Sequence, residues 1–279
     1  MSYRIEPLPR HRLGVLDLLD STRFTARFTV HGLIEADVTE ARQRLAVLPE
    51  SRPSITSYVV ASLARAVHAH PEVNARRVGR RLIFFDDIDI VVTIERQFRS
   101  GPAPSAWSLR NGHERTLWEI AAELEEAKTR PTTEQDPHRL LPTMKIPRLM
   151  RRPLVRTLAR VPSAAARFGP PIGVSSLGMF GTGWAIPLSP LTLMVTIGGI
   201  ADRPALRRGL PEEREMLPLT LSFDHSVIDG APAARFATTF RRLLESASVL
   251  APPGPALEVA SPAPTIGLDD ERRRVGSRN

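Results

Sequence analysis

The sequence has no cysteine, few aromatic residues and no long apolar run. Without cysteine the chain can form no disulfide, no thiolate metal site and no cysteine nucleophile. The longest apolar stretch, Leu191 to Ala201, has 11 residues, whereas a membrane-spanning helix needs roughly 18. The opening residues, MSYRIEPLPRHR, lack the apolar run of a signal peptide. We therefore expect a cytoplasmic enzyme.

Basic charge is concentrated in one stretch of the chain. Lysine is nearly absent, since only Lys128 and Lys145 occur, and arginine supplies the rest of the 38 basic residues. Between Leu141 and Phe168 the sequence has seven basic residues and no acidic one, which accounts for most of the formal net charge of +8. The protein is therefore not basic overall but carries one basic segment, residues 141–168.

Apolar periodicity and turn signals predict strands and helices mixed along the whole chain. The predicted strands are Phe24–Val38, Arg81–Phe85, Ile88–Ile94, Ile172–Ser176, Trp184–Ile186, Leu191–Ile200 and Leu217–Phe223. The predicted helices are Thr39–Val47, Thr56–Ala69 (with Thr56 as its N-cap), Arg115–Lys128 and Ala231–Leu250. We find no internal repeat and expect one α/β or α+β domain of about 250 residues. The proline-rich, charged residues 251–279 are expected to form a flexible tail.

The run LPLTLSFDHSVIDGAPAARF (217–236) places polar side chains at a predicted strand-to-helix junction. His225 and Asp229 fall in the turn before the final helix. A histidine there can be held rigidly and still reach a cleft, as a general base requires. On this spacing alone, a structural role for the histidine is the more common one. The remaining histidines show no metal-ligand spacing with carboxylates, so we predict no metal site. They are His11, His31, His68, His70, His113 and His138.

The run SFDHSVIDGAPAARF is the last of four recognisable blocks. The others are FTVHGLIEADVTEARQRL (28–45), SITSYVVASLARAVHAHPEVNAR (54–76) and GVSSLGMFGTGWAIPLSPLTLMVTIGGI (173–200). In this order they resemble the catalytic core of the dihydrolipoyl acyltransferases of 2-oxoacid dehydrogenase complexes and, more distantly, chloramphenicol acetyltransferase. The resemblance spans roughly residues 10 to 250. It implies a chloramphenicol acetyltransferase-like two-layer α/β sandwich with a mixed sheet, in which residues 1–250 form the acyltransferase domain.

The resemblance also implies a mechanism of direct acyl transfer. His225 would take the proton from an acceptor hydroxyl or thiol, which attacks the thioester of acyl-CoA. Ser175, the first serine of the Ser-Ser-Leu-Gly block, would donate a hydrogen bond to the oxyanion; without the family, a strand-end serine bonded to backbone is the simpler interpretation. Asp229 would brace the loop, against an N-terminal arginine such as Arg10 or Arg12. No acyl-enzyme and no permanently bound cofactor are implied, and acetyl-CoA or another acyl-CoA is the cosubstrate.

Several features depart from the family pattern. Ser226 follows the histidine where the family usually has arginine. The resemblance starts almost at the N-terminus, so we expect no lipoyl or peripheral-subunit-binding domain. Residues 251–279 stand where the family has a short apolar segment used between trimers. Residues 136–170, which contain the whole basic segment, have no recognisable counterpart. These departures favour a stand-alone transferase, such as those that acetylate a hydroxymethyl group on a tetronate ring in polyketide pathways.

The basic segment has three interpretations. It can be a solvated surface, a contact for CoA phosphates or an acidic carrier protein, or a nucleic-acid contact; no nucleic-acid module accompanies it, so nucleic acid is not a predicted partner. Pro147, Pro153 and Pro162 interrupt it, which disfavours one long membrane helix, and no membrane contact is predicted.

Three functional hypotheses follow. The first is an acyl-CoA-dependent O-acetyltransferase that acts on a small-molecule alcohol and forms a homotrimer with active sites between subunits. The second is a dihydrolipoyl acyltransferase core served by a separate lipoyl protein. The third is a non-catalytic scaffold or binding protein of the same fold. The combination of His225, Asp229 and Ser175 favours an enzyme over a scaffold.

Overall fold

The structure is a computed structural model that describes residues 28–48, 53–78, 80–98, 101–129, 169–178, 183–207 and 209–251, together with the single residues 150, 157 and 181. The predictions for Arg10 and Arg12 lie outside these residues, as do those for the tail beyond Ala251. The basic segment also lies outside them, apart from Met150 and Thr157.

Strands and helices are mixed along the described residues, as the sequence predicts. The strands are β1 (Thr29–Asp37), β2 (Ala75–Val78), β3 (Arg81–Phe84), β4 (Ile90–Phe98), β5 (Gly101–Leu109), β6 (Ile172–Ser176), β7 (Leu193–Ile197), β8 (Ala201–Arg207) and β9 (Leu210–Asp224). The helices are α1 (Thr39–Ala46), α2 (Ile55–Ala69), α3 (Leu117–Thr129) and α4 (Gly230–Glu245). Short 3-10 helices span Pro71–Val73 and Ser248–Leu250.

Seven strands form one mixed sheet. Its order is β1-β9-β7-β6-β4-β5, and β8 pairs with the first half of β9. Strand β6 runs parallel to both β4 and β7, whereas the remaining pairs are antiparallel. Strands β2 and β3 form a separate antiparallel hairpin. The predicted mixed sheet is therefore confirmed.

One face of the sheet is apolar and is covered by helices. Along β7, for example, Leu193, Val195 and Ile197 alternate with residues of the opposite face and are fully buried or nearly so. The apolar sides of the four helices complete a single hydrophobic core with this face. Because a sheet whose apolar face is covered by helices is a two-layer arrangement, the predicted two-layer α/β architecture is confirmed.

Helix α2 lies at the centre of the helical layer. Its N-cap is Ser54, whose side chain accepts a hydrogen bond from Ser57 N at 3.2 Å, so the predicted cap at Thr56 is wrong by two residues. In the first turn of α2, the hydroxyl of the buried Tyr58 donates to the Leu244 carbonyl at 2.6 Å and connects α2 to α4.

The structure corrects several predicted strands. Residues Trp184 to Ile186 are irregular rather than extended in a sheet, and the Trp184 indole N–H donates to the Ile34 carbonyl at 3.2 Å. Pro187 follows directly and limits strand pairing here. Strand β9 begins at Leu210 rather than Leu217, because its first half pairs with β8. The final helix ends at Glu245 rather than Leu250, and a 3-10 turn follows.

Three strands were not predicted: β2, β5 and β8. Strand β5 contains Pro102 and Pro104, which obscure the pattern of a strand but are compatible with its position at the edge of the sheet. Among the described residues, no helix has the length and apolar character required to cross a membrane.

Candidate active site

The loop between β9 and α4 carries the predicted general base. Its first residue, His225, donates its backbone N–H to the Phe28 carbonyl at 2.7 Å and so extends the pairing with the chain before β1. The Asp224 carbonyl accepts from Val227 N at 2.9 Å and from Ile228 N at 3.1 Å, which forms a tight turn. The Ile228 side chain is buried in the core. Both ends and the middle of the loop are therefore anchored.

The imidazole of His225 is oriented by its own loop. Nδ1 lies 2.9 Å from the carbonyl oxygen of Ile228. A carbonyl oxygen can only accept a hydrogen bond, so Nδ1 carries the proton, and the neutral ring has its lone pair on Nε2. The side chain remains 43% exposed. This tautomer is the one that a base acting through Nε2 requires.

Asp229 lies beside His225 but is not hydrogen-bonded to it. Its Oδ1 is 3.9 Å from His225 Nδ1, and the carboxylate is 88% exposed. Since the Nδ1 proton is directed to Ile228, the carboxylate can stabilise a protonated imidazole only through a solvent-screened charge interaction.

A polar chain connects the loop to the β2–β3 hairpin. The buried carboxylate of Asp224 accepts from Ser226 N at 3.0 Å and from Ser226 Oγ at 2.6 Å. Ser226 Oγ in turn accepts from Arg77 Nε at 2.9 Å. At the position where the family pattern has arginine, this protein therefore has a serine that contacts an arginine from another element.

Ser175 lies in strand β6, within a row of hydroxyl side chains. The register aligns it with Thr93 of β4 and Thr196 of β7, and Thr196 with Thr220 of β9. Side chains at paired positions project from the same side of a sheet, here the side opposite the helices. Thr196 Oγ1 and Thr220 Oγ1 are buried without a hydrogen-bond partner. Ser176 is aligned with Ile197 and Leu219, on the helix-covered side.

A single chain does not bring Ser175 and His225 together. Ser175 is level with Thr220, and His225 lies five residues beyond Thr220 along β9. At about 3.4 Å per residue this offset is about 17 Å, and the two intervening strand spacings add about 10 Å sideways. This separation is too large for both side chains to contact one acyl group.

Glycines permit close chain contacts around the Ser-Ser-Leu-Gly block. The backbone of Leu177 donates to the Ile197 carbonyl at 2.8 Å, which brings Gly178 next to Gly198. A Cβ on Gly178 would lie 2.8 Å from the Gly198 oxygen, and one on Gly198 would lie 1.9 Å from the Gly183 oxygen. The small residues thus allow the chain after Ser175 to pack closely against the end of β7.

The described residues offer no group of three or more His, Asp or Glu side chains placed to hold a metal ion.

Some neighbours of the site were not predicted from the sequence. On the sheet face opposite the helices, His31 Nδ1 lies 2.9 Å from Ser222 Oγ. Arg77 and Asp224 were also missed as neighbours of the loop. Asp224 directly precedes His225 in the sequence, but no sequence signal links Arg77 to it.

The fold is similar to that of dihydrolipoamide acetyltransferases of known structure. A probable dihydrolipoamide acetyltransferase from Listeria monocytogenes superposes with a TM-score of 0.67 at 19% identity, over 88% of this chain and 95% of that one. The Azotobacter vinelandii dihydrolipoamide acetyltransferase superposes with a TM-score of 0.65 at 22% identity, over 89% and 95% of the two chains. At this identity the similarity establishes the fold, and the predicted fold class is confirmed.

The sequence matches a known family model over about a third of the chain. Residues 154–251 match the family model described as 2-oxoacid dehydrogenases acyltransferase (catalytic domain), which confirms the resemblance seen in the sequence. The lipoamide acyltransferase component of the branched-chain alpha-keto acid dehydrogenase complex of Pseudomonas aeruginosa is 38% identical over 84 residues, 29% of this chain and 20% of that protein. A pyruvate dehydrogenase complex acetyltransferase of Rickettsia felis is 22% identical over 203 residues, 72% and 42% of the two chains. The chain thus matches less than half the length of these relatives.

Proposed function

We propose that the protein is an acyl-CoA-dependent acyltransferase with His225 as its general base. The observation that carries this proposal is the hydrogen bond from His225 Nδ1 to the Ile228 carbonyl, because it leaves the lone pair on Nε2. Nε2 removes the proton of an acceptor hydroxyl or thiol, whose oxygen or sulfur attacks the thioester carbonyl. The tetrahedral intermediate then expels the CoA thiolate, which receives the proton from Nε2. No acyl-enzyme forms.

The oxyanion is stabilised by Ser175 of the partner subunit in this proposal. Two observations support a shared site: the large separation of the two side chains within one chain, and the position of Ser175 on the sheet face that the helices leave uncovered. A cyclic trimer in which each His225 meets the partner subunit's Ser175 gives three equivalent sites. Light scattering tests this assembly, with a mass of about three chains of 30.8 kDa expected.

The acceptor that we favour is the hydroxyl of a small molecule. The supporting observation is that the loop carrying His225 departs from the family pattern at Ser226, and this position directly follows the base. Acetyl-CoA is the proposed donor, and a hydroxymethyl tetronate is the most specific acceptor that we propose. The cytoplasm remains the proposed location, and a contact of residues 141–168 with an acidic carrier protein remains a prediction.

The second candidate function is acyl transfer between CoA and a dihydrolipoyl group. The names of the curated relatives, which are components of 2-oxoacid dehydrogenase complexes, support it. In the Azotobacter acetyltransferase, a serine, a histidine and an asparagine were investigated for their role in the catalytic mechanism, and the asparagine is four residues after the histidine. In this chain Asp229 stands four residues after His225 and Ser175 provides a serine.

One experiment separates these candidates. Purified protein is incubated with acetyl-, propionyl-, isobutyryl- or succinyl-CoA and with either dihydrolipoamide or a panel of primary alcohols that includes a hydroxymethyl tetronate. Release of free CoA is followed with the His225→Ala variant as the blank. Turnover with an alcohol supports the small-molecule function, whereas turnover with dihydrolipoamide alone, together with a megadalton particle, supports the dehydrogenase-complex function. No CoA release with any acceptor contradicts both and favours the scaffold hypothesis.

A further inference from the structure

The side chain of Arg77, in the β2–β3 hairpin, contacts the loop that holds His225. Arg77 lies on strand β2, in the hairpin that does not join the main sheet. Its Nε donates to Ser226 Oγ at 2.9 Å. Ser226 Oγ has a single proton, and it donates this proton to Asp224 Oδ1 at 2.6 Å. The two hydrogen bonds therefore have the same direction: Arg77 donates to Ser226, and Ser226 donates to Asp224.

The backbone beside Arg77 is firmly attached to the main sheet. Thr192 Oγ1 donates to the Ala75 carbonyl at 2.6 Å, and the Thr192 carbonyl accepts from Asp224 N at 2.8 Å. The neighbouring Arg76 donates through Nη2 to the Gly169 carbonyl at 2.7 Å. Thr192 thus fixes β2 and the end of β9 relative to each other, so that the Arg77 guanidinium approaches the loop from an anchored position.

We propose that Arg77 is a positioning residue for His225, acting through Ser226 and Asp224; this inference rests on the proposed function. The Asp224 carbonyl accepts the Ile228 N–H that closes the turn, and the Ile228 carbonyl in turn accepts from His225 Nδ1. The polar chain fixes the side chain of Asp224 and, with it, the start of this turn. Loss of the Arg77 contact loosens the turn and lets the imidazole leave the orientation in which Nε2 acts as base.

The proposal predicts an effect on the chemical step rather than on binding of the donor. Positioning a base changes kcat, whereas a contact to a CoA phosphate that is equal in ground state and transition state changes KM alone. Since the Arg77–Ser226 contact is solvent-exposed, the expected effect is modest. We expect Arg77→Ala to lower kcat by about threefold to tenfold and to change KM for acyl-CoA by less than about twofold.

A double-mutant cycle tests the route through Ser226. Ser226→Ala removes both the acceptor for Arg77 and the donor to Asp224, so it should lower kcat at least as much as Arg77→Ala. The double variant Arg77→Ala/Ser226→Ala should be no slower than Ser226→Ala alone, because coupled residues are not additive. Ser226→Thr keeps the hydroxyl and should retain most of the activity. The matched control is Arg81→Ala, which removes an exposed arginine from the other strand of the same hairpin.

Amide hydrogen exchange of the peptide containing Ile228 supplies a readout that does not depend on substrate. The Ile228 amide should exchange faster in Arg77→Ala than in Arg81→Ala, with the same unfolding midpoint in both variants. The inference is overturned by equal exchange in these two variants, by an Arg77→Ala effect confined to KM, or by additive effects in the cycle. If wild-type protein releases no CoA, the proposed function fails, and the exchange comparison alone decides whether Arg77 positions the loop.

Discussion

His225 Nδ1 donates to the carbonyl oxygen of Ile228, three residues further along the same loop, at 2.9 Å. Many catalytic histidines are oriented by a carboxylate, but here the acceptor is a neutral backbone oxygen. The nearby carboxylate of Asp229 is 3.9 Å away and exposed. The orientation of the base therefore depends on the shape of the turn, and the turn depends on the residues that close it.

Two replacements of His225 distinguish its role as a base from its role in the structure of the loop. We expect His225→Ala to lower turnover by about a hundredfold to ten-thousandfold. His225→Asn should be equally inactive, although its side-chain amide can still donate to the Ile228 carbonyl and preserve the turn. CoA release and thermal unfolding are measured for both variants. Activity of either variant within about twofold of wild type contradicts the assignment.

The two adjacent serines of the Ser-Ser-Leu-Gly block provide a matched pair. Ser175 lies on the face with the hydroxyl row, whereas Ser176 is level with Ile197 on the helix-covered face. Ser175→Ala should lower kcat by about tenfold to a thousandfold with little change in KM, because the lost hydrogen bond matters chiefly in the transition state. Ser176→Ala should have a smaller effect on kcat. A large loss of kcat in Ser176→Ala together with an unchanged kcat in Ser175→Ala would assign the oxyanion contact to Ser176 instead.

Much of the fold could be predicted from the sequence, because its strong periodic patterns are local. Strand β6, Ile172–Ser176, is found with the predicted bounds, and α1, α2 and α3 with ends close to those predicted. The prediction failed where pairing outweighs local pattern. The first half of β9 is a strand because β8 pairs with it, and β5 tolerates its prolines because it is at the sheet edge.

The sequence predicted the site residues that lie within its motifs, but not the contacts that those residues make in the fold. The sequence placed His225 and Asp229 on one loop, but the orientation of the imidazole depends on a backbone carbonyl that has no sequence signature. The face on which Ser175 lies follows from the register of β6 with two neighbouring strands. Arg77 meets the loop across a gap of 149 residues in sequence, and no local pattern encodes such a contact.

The buried hydroxyl of Tyr58 makes stability depend on alkaline pH. Burial raises the pKa of Tyr58 above its ordinary value of 10.0. Above pH 10 the unfolded chain therefore loses this proton while the folded protein retains it, so the free energy of unfolding falls as pH rises. For this group alone the loss between pH 8 and pH 10.5 is about 0.8 kcal/mol.

Tyr58→Phe should remove that loss and also lower stability at pH 7. The lost hydrogen bond to the Leu244 carbonyl leaves a buried acceptor unpaired, at a cost of about 1 to 3 kcal/mol. Urea unfolding at pH 7, pH 8 and pH 10.5 measures both effects. Tyr3→Phe, which alters the other tyrosine of the chain, is the matched control. An unchanged pH dependence in Tyr58→Phe contradicts the prediction.

Mixing two impaired variants tests whether the active site is shared between subunits. His225→Ala chains keep Ser175, and Ser175→Ala chains keep His225. If each site combines His225 with Ser175 of the partner subunit, co-expression of the two variants restores complete sites in mixed trimers. In a random mixture with equal amounts of the two chains, the chain that supplies the histidine keeps His225 in half of the sites, and its neighbour keeps Ser175 in half of those. About a quarter of wild-type activity is therefore expected. Co-expression of His225→Ala with His225→Asn should restore none. If both residues of a site came from one chain, no mixture could exceed the sum of the separate variants, and such a result would contradict the separation that the strand register gives Ser175 and His225.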